Sequence, residues 1–280
     1  MTGRLLIEGK GSCELLVTTS VGSQREDGIT VLDAMRKAAA LDSRYVDRED
    51  LKAEVMKISC ADVLVFLEYG VRLDRFVHGE KKASLKFHPS TASLRIQALK
   101  AGQGDVMAHA IGIRQGDRIL DCTMGLGADS LVCAWAAGEA GGVTALEGSR
   151  PMFLAIDLGM GAYSADADVM LAIGRVQRVN ASYSDFLRAC PDSSYDAVYM
   201  DPMFRSPVAG SPIDALRAWA VLGVPSGEDL AEALRVARRR LVVKLRKGEL
   251  IEGLYAMPGY KVFHSSNAGS VQYVGVEKDA

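Results

Sequence analysis

The chain has 280 residues, 49% of them hydrophobic, and a formal net charge of −2. That length supports a full core in one large domain plus a smaller one, and the near-neutral balance excludes nucleic-acid binding driven by overall charge, leaving only a local basic face. No stretch reaches the ~18 consecutive apolar residues of a membrane span, and MTGRLLIEGKGS lacks an apolar core of signal-peptide length, so a cytoplasmic protein without a membrane partner is expected.

Taken in order, ELLVTTSV (14–21) reads as a strand, TVLDAMRKAAALD (30–42) and REDLKAEVMKIS (48–59) as helices, and ADVLVFLEYGVRLDRFVHG (61–79) as a hairpin turning at Tyr69-Gly70. This predicts a small α/β unit over 1–85. KKASLKFHPST (81–91) reads as a linker whose His88-Pro89-Ser90 starts a helix, and 86–110 as a helical connector. From 111 to 280, strands alternate with helices. DRILDCT, GGVTALEG, RVQRVNAS, YDAVYMDPM and RLVVKLRK are strands, with helices after Gly127, from Pro151, around Phe186 and over GEDLAEALRVARRR (227–240). YKVFHSS and SVQYVGVEK form a closing hairpin across Asn267-Ala268-Gly269. The expected fold is α/β: a mostly parallel, Rossmann-like sheet with an antiparallel terminal hairpin.

Five cysteines (Cys13, Cys60, Cys122, Cys133, Cys190) with no C-x-x-C pair are expected to be reduced packing residues, and the histidines His78, His88, His109 and His264 lack metal-ligand spacing. No metal is expected.

ILDCTMGLGADS (119–130) carries the strongest chemical signal. Asp121 ends a strand, Gly125 and Gly127 make a tight turn, and a helix follows, the setting in which backbone N–H groups approach a nucleotide. Glu147 ends the next strand, where an acid takes both hydroxyls of a ribose, or is simply an exposed acid. In NASYSDF, Ser182 and Asp185 are candidates for an adenine amino group, with ordinary helix capping as the alternative. In YDAVYMDPMF (195–204) an uncharged strand ends on Asp201-Pro202, either a turn or the mouth of a ligand site.

DCTMGLGADSL, ALEGSRP and DPMF, in this order, resemble class I S-adenosylmethionine-dependent methyltransferases, and in particular the small-subunit ribosomal RNA guanine-N2 methyltransferase J family, over roughly Gly104 to Gly248. The resemblance implies an S-adenosylmethionine pocket from Asp121, Thr123, Gly125, Gly127, Asp129, Glu147, Gly148, Ser182 and Asp185. It implies catalysis at Asp201, Pro202 and Phe204: Asp201 and the Pro202 carbonyl accept the two N–H groups of an exocyclic guanine amine in RNA, ribosomal RNA foremost, and Phe204 stacks on the base. Arg205 stands where the family carries proline, which leaves the acceptor open to a protein or small-molecule amine. The N-terminal ~100 residues also differ and are more like a separate bacterial branch of the superfamily. Met203, Arg205, His88, Ser90 and Arg95 are candidate substrate contacts, and the basic run 235–247, including Arg238, Arg239, Arg240 and Lys244, either tracks phosphates or is a solvated face. Two rivals are a nicotinamide-dependent dehydrogenase, which leaves DPMF unexplained, and a non-catalytic RNA-associated cofactor-binding protein, against which the intact Asp201 argues.

Overall fold

The chain folds into two units. A computed structural model describes residues 13–19, 43–67, 70–203, 217–220, 223–265 and 270–278. The expected 30–42 helix, the 267–269 turn, Tyr69, Phe204 and Arg205 lie outside these described residues.

The first unit holds the described residues up to Phe87, Leu154–Tyr163 and the described part of Ala209–Trp219. Its sheet has the order β2-β1-β3-β4-β5, with β1 (Glu14–Thr19), β2 (Arg44–Tyr45), β3 (Cys60–Phe66), β4 (Val71–Val77) and β5 (Glu80–Lys86). β1 pairs parallel with β2 and β3, while β3, β4 and β5 form an antiparallel meander. The helix α1 (Leu51–Met56) buries Leu51 and Val55 against Leu16, Val46, Val63 and Val65. Two expectations change here. The 81–86 segment is a strand, because His78 (φ +50) and Gly79 (φ +78) turn the chain back and pair it with β4. Cys13 and Cys60 form a disulfide: the β1–β3 register opposes Glu14 to Ala61, so the residues just before them meet, a proximity that a sequence separation of 47 conceals.

The second unit carries seven strands: β6 (Arg118–Asp121), β7 (Gly142–Glu147), β8 (Val176–Asn180), β9 (Tyr195–Met200), β10 (Ala237–Arg246), β11 (Tyr260–Ser265) and β12 (Val271–Glu277), in the order β11-β12-β10-β9-β6-β7-β8. β8, β7, β6, β9 and β10 run parallel, and β12 and β11 close the edge antiparallel. The helices are α2 (Ser90–Lys100), α3 (Val106–Ile111), α4 (Ala128–Ala137), α5 (Arg150–Gly161, of which Leu154 onward clusters with the first unit), α6 (Ala167–Gly174), α7 (Tyr183–Ala189) and α8 (Gly227–Val236). α8 opens with a capping box between Ser226 and Asp229. It stops at Val236, before the arginine triplet: Ala237 is already in β10, so Arg238–Arg240 belong to a strand and not to the expected helix. Strand order reverses between β6 and β9, which opens a crevice at their carboxyl ends. Among the described residues no helix is long and apolar enough to cross a membrane, and no cluster of three His, Cys, Asp or Glu is assembled to hold a metal ion.

Candidate active site at the strand ends

Asp121 is fully buried at the end of β6 and folds the glycine loop around itself. Its Oδ1 accepts the Thr123 backbone N–H at 2.9 Å, and its Oδ2 accepts the Ser130 hydroxyl at 2.5 Å. Burial pushes its carboxyl up to about 6, against the pull of those two hydrogen bonds. The Met124 N–H reaches the Leu146 carbonyl at 2.8 Å and the Gly127 N–H the Met124 carbonyl at 2.7 Å, closing a tight turn. Gly125 (φ +53) and Gly127 (φ +81, the N-cap of α4) hold the left-handed backbone this turn requires.

Glu147, only 7% exposed at the end of β7, accepts the Gly125 N–H at 3.2 Å and the Ser149 N–H at 2.7 Å, and the Gly148 N–H also points to it. Burial outweighs these backbone dipoles and raises the carboxyl to about 7. The Glu147 carbonyl accepts from the Asn180 side chain at 2.7 Å and the Ala181 N–H at 3.2 Å, which sets the β8–α7 loop beside the end of β7. Ser182 is the N-cap of α7 without a side-chain capping bond, and Asp185 is 81% exposed and pairs with Arg188 at 3.5 Å.

Asp201 leaves the sheet just beyond β9. Its backbone N–H donates to Thr123 Oγ1 at 2.7 Å, and the Cys122 N–H donates to the Tyr199 carbonyl at 2.9 Å, so the glycine loop and the Asp-Pro segment are stitched together. Asp201 Oδ2 accepts from Lys244 Nζ at 2.6 Å; Oδ1 receives no hydrogen bond among the described residues. Pro202 is buried and Met203 half-buried.

Behind this pair lies a charged network. Asp129, in the first turn of α4, accepts from Arg95 at 2.6 Å and from the hydroxyl of the fully buried Tyr199 at 2.8 Å, and lies 3.5 Å from Lys244. Arg95, expected to face the acceptor, is spent on Asp129 and, through Nε and Nη2, on Asp105, the N-cap of α3. Burial would raise Asp129, but Lys244 and Arg95 outweigh it and hold it below the usual carboxylate range; Asp201 is raised, burial exceeding the pull of its one lysine. His88 is exposed, ahead of the buried Pro89 that caps α2, and Ser90 is the first residue of that helix.

The basic run divides in two. Arg238 pairs with Asp196, Arg239 with Asp117, and Arg240 with Glu277 and the Ala110 carbonyl, all at the amino end of β10 and away from Asp201. Lys244 is the eighth of the ten residues of the strand, where the register of Val243 with Met200 sets it beside Asp201. Tyr199, Asp105, Ser130 and Asn180 are absent from the site that the sequence predicts, and Lys244 enters it only as one cation of the basic run. The available signal for Lys244 was a lone cation inside the buried LVVKL strand.

The family described as "Putative SAM-dependent methyltransferase" matches residues 49–256. The chain belongs to that family. It is a methyltransferase whose cofactor is S-adenosylmethionine. The Bacillus subtilis (strain 168) protein YpiP is 32% identical over 233 residues, 82% of this methyltransferase and 88% of the relative. Ribosomal RNA small subunit methyltransferase J of Pseudomonas paraeruginosa is 31% identical over 61% of this chain and 66% of its own length; that of Laribacter hongkongensis is 34% identical over 54% and 56%. The methyltransferase thus spans less than two thirds of these two curated relatives. The crystal structure of the SAM-dependent methyltransferase NGO1261 from Neisseria gonorrhoeae covers 95% of this chain and 97% of its own with a TM-score of 0.55 at 19% identity, a likeness of fold.

Proposed function

We propose that this methyltransferase modifies the exocyclic amine of a base in RNA, with guanine N2 of small-subunit ribosomal RNA as the acceptor. The observation that carries the reading is Asp201: a carboxyl group at the switch point of the sheet with one oxygen tied to Lys244 and the other without a hydrogen bond among the described residues. The similarity to enzymes named ribosomal RNA small subunit methyltransferase J supports the RNA acceptor.

The residues fit the cofactor. The Glu147 carboxylate, which already accepts the Gly125 and Ser149 N–H groups, offers acceptors for a ribose diol beside the Gly125–Gly127 turn; Asp121 and Thr123 hold that turn in shape, and Asp129 and Gly148 flank it in sequence. Ser182 and Asp185 stand on the β8–α7 segment as partners for the adenine end. When bound, S-adenosylmethionine supplies a methyl group on a cationic sulfur, open to in-line displacement.

An exocyclic aromatic amine is a poor nucleophile because its lone pair is delocalised into the ring, so orientation must supply much of the rate. Asp201 accepts one amine N–H and the Pro202 carbonyl the other, which turns the nitrogen lone pair out of the ring plane. Proline suits that position, since it brings no competing N–H. As nitrogen gains the methyl group it becomes cationic, and the same carboxylate stabilises that charge and takes the proton. In this reading Phe204 supplies the ring for the base, and Met203, Arg205 and His88 are candidate contacts for the acceptor.

The test is transfer of a labelled methyl group to small ribosomal subunits, bulk tRNA and a protein extract, with the product nucleoside identified by mass spectrometry. N2-methylguanosine in the small subunit is expected. Label confined to protein or to a small molecule would overturn the reading.

A further inference from the structure

Lysine is rare inside a central strand, because its ammonium must leave water. Lys244 sits on β10 with its side chain only 26% exposed, between the buried Val243 and Leu245 and opposite Tyr273 of β12. Its Nζ lies 2.6 Å from Asp201 and 3.5 Å from Asp129. The titratable groups that act on it are Asp201 just beyond β9, Asp129 on α4 and Tyr273 on β12, with Arg95 on α2 and the Tyr199 hydroxyl bonded to Asp129 behind them. Arg95 cannot stand in for the lysine, because all three of its bonding nitrogens are committed to Asp105 and Asp129.

We propose that Lys244 is a positioning residue for methyl transfer: its ammonium fixes one oxygen of Asp201 and keeps the carboxylate charged, so that the other oxygen is available to the substrate amine. This rests on the assignment of Asp201 as the amine's acceptor. Charge state is the decisive property. An ionised Asp201 is acceptor-only, whereas a protonated one presents an O–H donor to an amine that is itself a donor, and the alignment is lost. Without Lys244, Asp201 stands beside Asp129 in a partly buried site, the situation in which one of two neighbouring carboxylates takes up a proton. Flanked by two acids, Lys244 itself is held in its charged form and acts as a fixed cation, not as a proton acceptor.

The experiment is single-turnover transfer between pH 5.5 and 9.5, with saturating S-adenosylmethionine and small ribosomal subunits from cells that lack this chain as the acceptor. It compares wild type, K244M, K244R, D201N and K244M/D201N. In K244M the acid limb of the rate profile is expected to move up by roughly 1–3 pH units, the span an adjacent opposite charge commands, with rate recovered on the alkaline side. K244R keeps the charge and is expected to keep the limb in place at a lower plateau, a comparison that stands even if K244M does not fold. The double variant is expected to lose no more than D201N alone, since the lysine acts through the aspartate. A K244M profile lowered equally at all pH, a K244R limb that moves, or additive losses in the double variant would overturn the assignment. Wild-type protein that leaves the subunits unlabelled overturns the acceptor reading and this inference with it; labelled subunits with an unmoved limb overturn the inference alone.

Discussion

Glu147 and Asp201 end two strands of the same parallel sheet and are held in opposite ways. Glu147 accepts backbone N–H groups and, among the described residues, pairs with no cation, and its carboxyl rises to about 7. Asp201 is tied to an ammonium, with Asp129 close behind. Amide dipoles favour a charge without neutralising it, so Glu147 keeps its affinity for hydroxyl donors and for protons alike. An ion pair fixes direction at Asp201 and pulls against the rise that burial brings to its carboxyl. The contrast matches a division of labour in which Glu147 binds a neutral diol and Asp201 aligns a reacting amine.

The largest effect that sharpens this contrast is expected from Asp201→Asn. The amide brings an N–H group towards the amine and loses the charge that Lys244 balances, and the single-turnover rate should fall roughly 10²-fold or more, as for a misplaced reacting group. Glu147→Ala should instead weaken cofactor binding by about 1–3 kcal/mol in calorimetry, the cost of leaving hydroxyls without a charged acceptor.

The pH dependence of binding comes next. If the diol requires ionised Glu147, cofactor affinity should fall about tenfold between pH 8 and pH 6, with protons released on binding near pH 7. Titrations at the two pH values check this, and equal affinities would remove the raised carboxyl from the account. The sign for stability is opposite. Because the folded carboxyl lies above its ordinary value of 4.5, its contribution to the cofactor-free protein is fully present below that value and is lost as pH rises through about 7. The smallest effect belongs to Thr123→Val, which removes the acceptor for the Asp201 N–H. It should lower thermal stability by about 0.5–1.5 kcal/mol and slow transfer by less than Asp201→Asn does.

Much of the second unit was legible because βα alternation writes itself into local pattern: uncharged runs that end on Asp121, Glu147 and Asp201, with glycines where the backbone must turn. Pairings set by tertiary register were not. Lys244 and Asp201 are 43 residues apart and meet only because β10 lies beside β9 with Val243 against Met200. Local reading grouped Lys244 with Arg238–Arg240, whose charges the fold spends on Asp196, Asp117 and Glu277. Arg95 read as a substrate contact because its two carboxylate partners lie on other helices, at the cap of α3 and the start of α4. In the first unit, the polar EKKASLK gave no strand signal, since β5 is an edge strand that buries little beyond Leu85.

The division of labour is tested most directly by measuring cofactor affinity and single-turnover rate side by side in Asp201→Asn and Glu147→Ala, the rate taken at saturating cofactor. Asp201→Asn should lose rate with its affinity within a few-fold of wild type, and Glu147→Ala should lose affinity while most of the saturated rate survives. Wild-type rates in Asp201→Asn, or the same parameter failing in both variants, would contradict it.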